Sequence, residues 1–193
     1  MSNDLHVSKN VAPHVARPRG FAIWMTGLPG SGKSTLANLI KKKYEAEYGR
    51  FVEVLDGDEV RKGLSSDLGL SKNDREEHAR RVSYLAKVLA RNGVISIVAL
   101  ISPYAVSRER AMQVIGRENF IEVYVKASIA TCEKRDPKGL YAKARRGEIT
   151  NMTGIQDPYE EPQAPDVVLD TEANSPEECL NRLTSALGNR SFL

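Results

Sequence analysis

The sequence predicts an α/β protein in which helices cover both faces of a five-stranded parallel sheet. Short apolar runs rich in β-branched residues alternate with longer segments that carry apolar residues at helical spacing, a pattern typical of βα units. The chain has 193 residues, of which 41% are hydrophobic and 27% charged, close to the averages of globular proteins. These values exclude disordered, collagen-like and membrane-spanning classes. They favour one domain, because domains commonly hold about 150 residues.

Five short apolar runs are predicted to be strands, and most of the intervening segments are predicted to be helical. The strands are 21–26, 51–55, 94–101, 121–126 and 166–169. The best-defined helices are 35–48, 74–92 and 176–187. In the second of these helices Val82, Leu85 and Leu89 share one face, and Asn73 with Glu76 has the spacing of a capping box.

Several sequence features limit the cellular setting. Residues 1–20 lack an apolar signal core, so we expect a flexible leader before one domain over 21–193. Cys132 and Cys179 form no CxxC pair, which favours a reducing cytoplasm over a disulfide framework. No apolar run approaches the roughly 20 residues that span a bilayer. The net charge of +3 is too small for a dedicated nucleic-acid binder and suits small anionic ligands.

A glycine-rich loop follows the first predicted strand. Residues 27–34 match GxxxxGK[ST] in full and precede a predicted helix, which favours a phosphate-binding loop over a plain glycine turn. Backbone N–H groups of such a loop and the positive end of the helix attract phosphates, which predicts the P-loop NTPase fold. Lys33 is expected to bridge the terminal phosphates of ATP, and Ser34 to hold magnesium. The predicted nucleotide-binding residues are Gly27, Leu28, Pro29, Gly30, Ser31, Gly32, Lys33, Ser34 and Thr35.

Charged residues follow the second predicted strand. Asp56 and Asp58 stand at its end, with Arg61 close behind. Carboxylates at the carboxyl end of a parallel strand lie on the ligand side of the sheet, where one can orient an attacking hydroxyl or take its proton. Arg61 can bind an anion through two N–H groups. A solvated turn with a capping aspartate is an equally good interpretation of this spacing alone.

A basic segment lies between the fourth and fifth predicted strands. Residues 131–148 contain six Lys or Arg and three acidic residues, and Gly139, Gly147 and Gly154 could act as hinges. We interpret the segment as a mobile basic lid rather than core, which would exclude water and add cations at the phosphates. A solvated helix face is the alternative, and it fits Lys143, Arg145 and Arg146. The lid cations considered are Arg135, Lys138, Arg145 and Arg146.

Several motifs in order along the chain resemble the adenylylsulfate kinase (APS kinase) family of P-loop kinases, and the similarity runs from Phe21 to Leu187. Besides the glycine-rich loop these are Asp56-Gly57-Asp58 with Arg61, Asp67-Leu68-Gly69, Asp74-Arg75 with Arg80-Arg81, Leu100-Ile101-Ser102-Pro103-Tyr104, Arg135-Asp136-Pro137-Lys138-Gly139-Leu140-Tyr141, and Thr153-Gly154-Ile155 with Asp157-Pro158-Tyr159-Glu160. The last two motifs are far more diagnostic than the glycine-rich loop.

The resemblance implies transfer of the γ-phosphoryl group of ATP to the 3'-hydroxyl of adenylyl sulfate, with Asp56 near that hydroxyl as base or as magnesium organiser. It implies a homodimer and an ATP sulfurylase as partner. The family traditionally assigns a phosphoserine intermediate to the position of Ser102, but in-line transfer needs positioning rather than a covalent relay. The implied substrate-binding residues are Asp58, Arg61, Leu70, Arg75, His78, Ile101, Ser102, Lys138 and Met152.

Three positions depart from the family pattern. Leu70 replaces an aromatic residue, His78 an asparagine and Met152 a phenylalanine, which removes stacking worth about 1 kcal/mol at each aromatic site. Ordinary drift within the family is the favoured interpretation. The alternatives are a kinase for another nucleotide or small metabolite, and a nucleotide-sensing domain without catalysis. The presence of Lys33 and Asp56 argues against the second alternative.

Overall fold

Five parallel strands form one sheet in the order β2-β3-β1-β4-β5, which confirms the predicted fold class. The structure is a computed structural model and describes residues 18–188. The predicted leader, residues 1–20, therefore lies almost wholly outside the described residues, as do the last five residues of the predicted domain. The strands are β1 (Phe21–Thr26), β2 (Val52–Asp56), β3 (Ile95–Ala99), β4 (Phe120–Lys126) and β5 (Val167–Asp170).

Seven helices accompany the sheet within the described residues, besides a short 3₁₀ helix, Arg117–Asn119. Within residues 18–188 no helix is long and apolar enough to cross a membrane. The helices are α1 (Lys33–Tyr48), α2 (Gly57–Lys62), α3 (Lys72–Arg91), α4 (Ala105–Ile115), α5 (Ile129–Arg135), α6 (Leu140–Arg145) and α7 (Pro176–Gly188).

Two helix starts differ from the prediction. The capping box of α3 is formed by Ser71 and Asp74, not by Asn73 and Glu76, because Ser71 is the last extended residue whereas Asn73 is already helical. Ser71 Oγ accepts from Asp74 N at 3.2 Å, and Asp74 Oδ2 accepts from Ser71 N at 3.1 Å. Helix α2 was not predicted at all, and Asp56 caps it by accepting from Asp58 N at 3.0 Å.

Strand β1 forms the centre of the molecule and is buried on both faces. Phe21, Ile23 and Met25 pack with residues of α1 and α7 on one side of the sheet. Ala22 and Trp24 pack with residues of α3 and α4 on the other. Such two-sided burial explains the unbroken apolar run of this strand. It also leaves the carboxyl edge of the sheet as the place where polar side chains gather.

The basic segment is partly core, contrary to our expectation. Cys132, Tyr141 and Ala144 are buried in a small apolar cluster with Leu28 and Met152. The Tyr141 hydroxyl donates to the Pro29 carbonyl oxygen at 3.0 Å. One face of α5 and one face of α6 therefore pack on the glycine-rich loop, whereas Lys143 and Arg145 of α6 are exposed. The mobility of the segment stays a prediction.

Candidate active site

A cavity of about 750 Å³ lies at the carboxyl edge of the sheet, between the glycine-rich loop and the segment 135–153. It brings together residues that are far apart in sequence, and most of the predicted site residues are in its wall. Those are Pro29, Gly30, Gly32, Lys33, Ser34, Thr35, Asp56, Asp58, Arg61, Leu70, Arg75, His78, Ile101, Lys138 and Met152. The predicted residues outside the cavity wall are Gly27, Leu28, Ser31 and Ser102.

The phosphate-loop end of the cavity is built around Lys33. Its Nζ donates to the carbonyl oxygens of Gly27 at 2.9 Å and Leu28 at 2.8 Å, which holds the ammonium inside the curve of the loop. Burial lowers the pKa of Lys33 from its ordinary 10.5 to about 8. Gly32, with a φ of 99°, precedes α1 and has no side chain to cap it. The first N–H groups of α1 are thus suited to an anion.

Ser34 and Asp56 connect the loop to the end of β2. Ser34 Oγ donates to Asp56 Oδ2 at 2.6 Å, and Asp56 Oδ1 accepts from Asp58 N at 3.0 Å. Each oxygen of the Asp56 carboxylate therefore accepts a hydrogen bond from the protein, and the two bonds fix its orientation. A hydroxyl and a carboxylate side by side are the oxygen donors that magnesium prefers, so the residues present fit this ion.

Two half-buried guanidinium groups, those of Arg61 and Arg75, form the opposite end of the cavity. Arg61 Nη1 donates to the Gly69 carbonyl oxygen at 2.8 Å. Arg75 donates to the carbonyl oxygens of Leu70 at 3.0 Å and Asn151 at 2.8 Å. Burial lowers the pKa of each guanidinium, and Arg75 lowers that of Arg61 further. Both remain cations at neutral pH, so this end favours an anionic ligand.

A third cation in the cavity wall pairs with a carboxylate. Lys138, in the loop between α5 and α6, donates to the Asp58 carboxylate at the start of α2. This hydrogen bond raises the pKa of Lys138. The pair joins the basic segment to the helix that follows β2.

The three residues that depart from the family pattern differ in burial. Leu70 is 46% exposed, whereas Met152 is buried in the apolar cluster beneath the basic segment. His78 is only 5% exposed, and neither of its ring nitrogens has a hydrogen-bond partner among residues 18–188. Burial lowers the pKa of His78 to about 4, with the charge of Arg61 as the next cause. His78 is therefore a neutral, unpaired polar group in the cavity wall at physiological pH.

Ser102 lies behind the wall. Its Oγ accepts from Trp24 Nε1 at 3.1 Å, and the residue is 5% exposed. The structure thus brings Ile101, but not the Ser102 hydroxyl, to the cavity.

Thr171 was missed from sequence, and the four lid cations differ in where the structure places them. Arg135 Nη1 donates to Thr171 Oγ1 at 3.0 Å, and Thr171 Oγ1 donates to the Ser31 carbonyl oxygen at 2.8 Å. Both line the cavity; the position of Thr171 directly after a strand was the available signal. Arg145 instead pairs with Glu133 at 2.9 Å and, like Lys143 and Arg146, is not part of the cavity wall. Those residues fit the solvated-face alternative.

A glycine-rich phosphate loop between β1 and α1, a serine hydroxyl bonded to a strand-end carboxylate, and a cationic cavity opposite them define a P-loop kinase. Comparison with known proteins gives the particular family. The family model for adenylylsulphate kinase matches residues 19–170. The chain belongs to the adenylylsulphate kinase family.

Individual relatives agree with the family match. An adenylyl-sulfate kinase from Bacillus licheniformis is 54% identical over 161 residues, covering 83% of this chain and 81% of its own. An APS kinase from Mycobacterium tuberculosis, solved in complex with AMPPNP and APS, superposes with a TM-score of 0.85 at 46% identity, covering 89% of this chain and 99% of its own. A gluconokinase from Sinorhizobium meliloti, with a TM-score of 0.56 at 14% identity, shares the fold alone.

Proposed function

We propose that the protein transfers the γ-phosphoryl group of ATP to the 3'-hydroxyl of adenylyl sulfate, giving 3'-phosphoadenylyl sulfate and ADP. One observation carries this proposal: Asp56, bonded to Ser34 of the phosphate loop at 2.6 Å, lies in the same cavity wall as Arg61 and Arg75. A phosphoryl donor and an anionic acceptor can thus meet at Asp56. The solved APS kinase complex with AMPPNP and APS supports the same pair of substrates.

The two ends of the cavity would bind different substrates, ATP at the phosphate loop and adenylyl sulfate at the opposite end. Lys33 and the loop N–H groups would hold the β- and γ-phosphates, and binding would exchange the loop carbonyls at Lys33 for phosphate oxygens. Arg61, Arg75 and Lys138 would hold the phosphosulfate of the acceptor through charge-assisted hydrogen bonds. With both substrates fixed, the 3'-hydroxyl attacks the γ-phosphorus in line and its proton passes to water. The bond between the γ-phosphorus and the β-phosphate oxygen breaks, and ADP leaves.

Magnesium, which belongs to the same proposal, would be held by Ser34 and Asp56 together with phosphate oxygens. When bound, it neutralises charge on the phosphates. Since Asp56 Oδ1 already accepts from Asp58 N and Oδ2 from Ser34, the contacts favour Asp56 as a magnesium organiser over a free base. Ser102 takes no covalent part, because its hydroxyl faces Trp24.

A panel of acceptors tests the substrate assignment. We expect kcat/KM for adenylyl sulfate to exceed that for AMP and adenosine by at least about 100-fold, since AMP would leave some of Arg61, Arg75 and Lys138 without an anionic partner and adenosine would leave all three without one. Lys33→Met should abolish transfer to every acceptor. A preference for AMP or a sugar over adenylyl sulfate would contradict the proposal.

A kinase with a different acceptor is the second candidate. It is favoured by Leu70, His78 and Met152, which all lie in the cavity wall and differ from the pattern of the family. The same panel decides between the two candidates. Introducing Leu70→Phe and Met152→Phe should lower the KM for adenylyl sulfate if stacking on the base is the feature that was lost.

The proposal also covers the oligomeric state of the protein and its cellular compartment. We propose a homodimer, supported by the resemblance and by exposed apolar side chains that include Leu64, Tyr84 and Val88; light scattering that finds only monomers would contradict it. A reducing cytoplasm is supported by the two free, buried cysteines, Cys132 and Cys179. The ATP sulfurylase partner stays a prediction of the family resemblance.

A further inference from the structure

A buried polar network lies directly behind the cavity wall, and the proposed mechanism does not use it. Arg108, on α4, is 4% exposed. Its Nε pairs with Glu122 Oε1 of β4 at 2.8 Å, and its Nη1 donates to the Ser102 carbonyl oxygen at 2.8 Å. A buried guanidinium is retained only when its N–H groups are satisfied. On the side that faces the cavity, the group that accepts from the Arg108 guanidinium is the carbonyl oxygen of Ser102.

Ser102 has an unusual backbone. Its φ of 43° is in the left-handed region, which non-glycine residues rarely adopt. Two hydrogen bonds hold it there: Trp24 Nε1 donates to its Oγ at 3.1 Å, and Arg108 Nη1 donates to its carbonyl oxygen at 2.8 Å. The Thr26 hydroxyl, which donates to the Ile101 carbonyl oxygen at 2.7 Å, lies 3.2 Å from the Ser102 carbonyl oxygen. A strained residue held in place by its surroundings is typical of functional sites.

The Ile101–Ser102 turn is hydrogen-bonded to the start of the phosphate loop and also contributes a residue to the cavity wall. The Ile101 carbonyl oxygen accepts from Gly27 N, at the start of the phosphate loop, at 3.3 Å and from Thr26 Oγ1 at 2.7 Å. Ile101 itself lines the cavity. The position of this one turn therefore sets where the phosphate loop begins relative to the wall beside the acceptor.

The segment that returns from the cavity is fastened to the same turn. Tyr159 OH lies 2.9 Å from Thr26 Oγ1, and Glu160 N donates to the Pro103 carbonyl oxygen at 2.8 Å. The Glu160 carboxylate accepts from Ala105 N, at the start of α4, at 2.7 Å. These contacts give a structural role to the Asp157-Pro158-Tyr159-Glu160 motif, since it joins residues 149–153 of the cavity wall to the turn.

We propose that Arg108 is a positioning residue for phosphoryl transfer. It acts through the Ser102 carbonyl, with Glu122 orienting its guanidinium, and it holds the Ile101–Ser102 turn so that donor and acceptor keep their relative places. Arg108 itself touches neither substrate. This proposal rests on the proposed function for its kinetic part, and on the hydrogen bonds of the turn for its structural part.

The test compares an Arg108→Met, Glu122→Gln double variant with Arg110→Met. The double change avoids leaving a lone buried charge, and Arg110 is an exposed residue of the same helix. A small misplacement of two substrates costs rate more than binding. We expect kcat per folded molecule to fall about 10- to 100-fold in the double variant, with the KM for ATP changed by less than about threefold. Arg110→Met should match the wild type.

Hydrogen exchange gives a readout that needs no activity. In the double variant the peptide that contains Gly27 should exchange faster, while peptides of α7 keep the wild-type rate. Unchanged exchange at Gly27 overturns the proposal, as does faster exchange with wild-type kcat, or a KM for ATP that rises as much as kcat falls. A wild type inactive on adenylyl sulfate refutes the proposed function instead, and faster exchange at Gly27 would still support the hold of Arg108 on the turn.

A pair of Ser102 variants separates backbone from hydroxyl. Both Ser102→Gly and Ser102→Ala lose the hydroxyl, but only glycine adopts a positive φ without strain. If the turn acts through its backbone, Ser102→Gly retains more activity than Ser102→Ala. Equal loss in the two variants would overturn a role for the backbone geometry.

Discussion

Replacing His78 by asparagine should remove a pH-dependent cost of folding. His78 is buried with a pKa of about 4, whereas an exposed histidine titrates near 6.5. Between these values the unfolded chain binds a proton that the folded chain excludes, so stability falls as the pH drops from 6.5 to 4. At 1.36 kcal/mol per pKa unit, the loss reaches about 3 kcal/mol at the acid end.

The assay is urea unfolding followed by the fluorescence of Trp24, the single tryptophan, at about pH 7 and about pH 4. All other titrating groups are common to the two proteins, so the difference between their pH dependences isolates His78. The wild type should lose about 3 kcal/mol more than His78→Asn over this range. Parallel pH profiles for the two proteins would refute the assignment of His78 as a buried neutral group.

Three further predictions concern the cations and the loop contact. ATP binding at about pH 9 should be accompanied by uptake of close to one proton, because burial lowers the pKa of Lys33 to about 8 in the free protein and the phosphates raise that pKa on binding. Calorimetry in two buffers of different ionisation enthalpy measures the uptake, and finding none would contradict the prediction. Lys138→Met should raise the acceptor KM about tenfold through loss of a charge-assisted bond, whereas the exposed Lys143→Met should leave it unchanged; equal KM values would argue against Lys138. Tyr141→Phe removes the bond to the Pro29 carbonyl and should cost about 1 kcal/mol in urea unfolding, so wild-type stability would rule out that contribution.

The sheet and the phosphate end of the site were predictable because their signals are local. An unbroken apolar run followed by a glycine-rich loop and a periodic segment predicts β1, the loop and α1. The end of the second predicted strand indicated Asp56 and Arg61, and the family resemblance added Arg75; all three line the cavity.

Features that depend on tertiary contacts were not predictable. The spacing of Asn73 and Glu76 predicted the wrong capping box for α3, because the path of the incoming chain makes Ser71 the last extended residue. Burial of Cys132 and Tyr141 within a basic segment depends on the glycine-rich loop lying beneath it. The orientation of the Ser102 hydroxyl was not predictable either, because it accepts a hydrogen bond from Trp24, which lies 78 residues away in the sequence.

The most direct test of the central claim follows both products of the reaction at once. The purified protein is mixed with ATP, magnesium and adenylyl sulfate, and ADP and 3'-phosphoadenylyl sulfate are quantified by chromatography, with Asp56→Asn as the matched variant. We predict equal amounts of the two products from the wild type, and a rate at least about 100-fold lower from Asp56→Asn. ADP release with adenylyl sulfate left unchanged, or an Asp56→Asn variant as fast as the wild type, would contradict the claim.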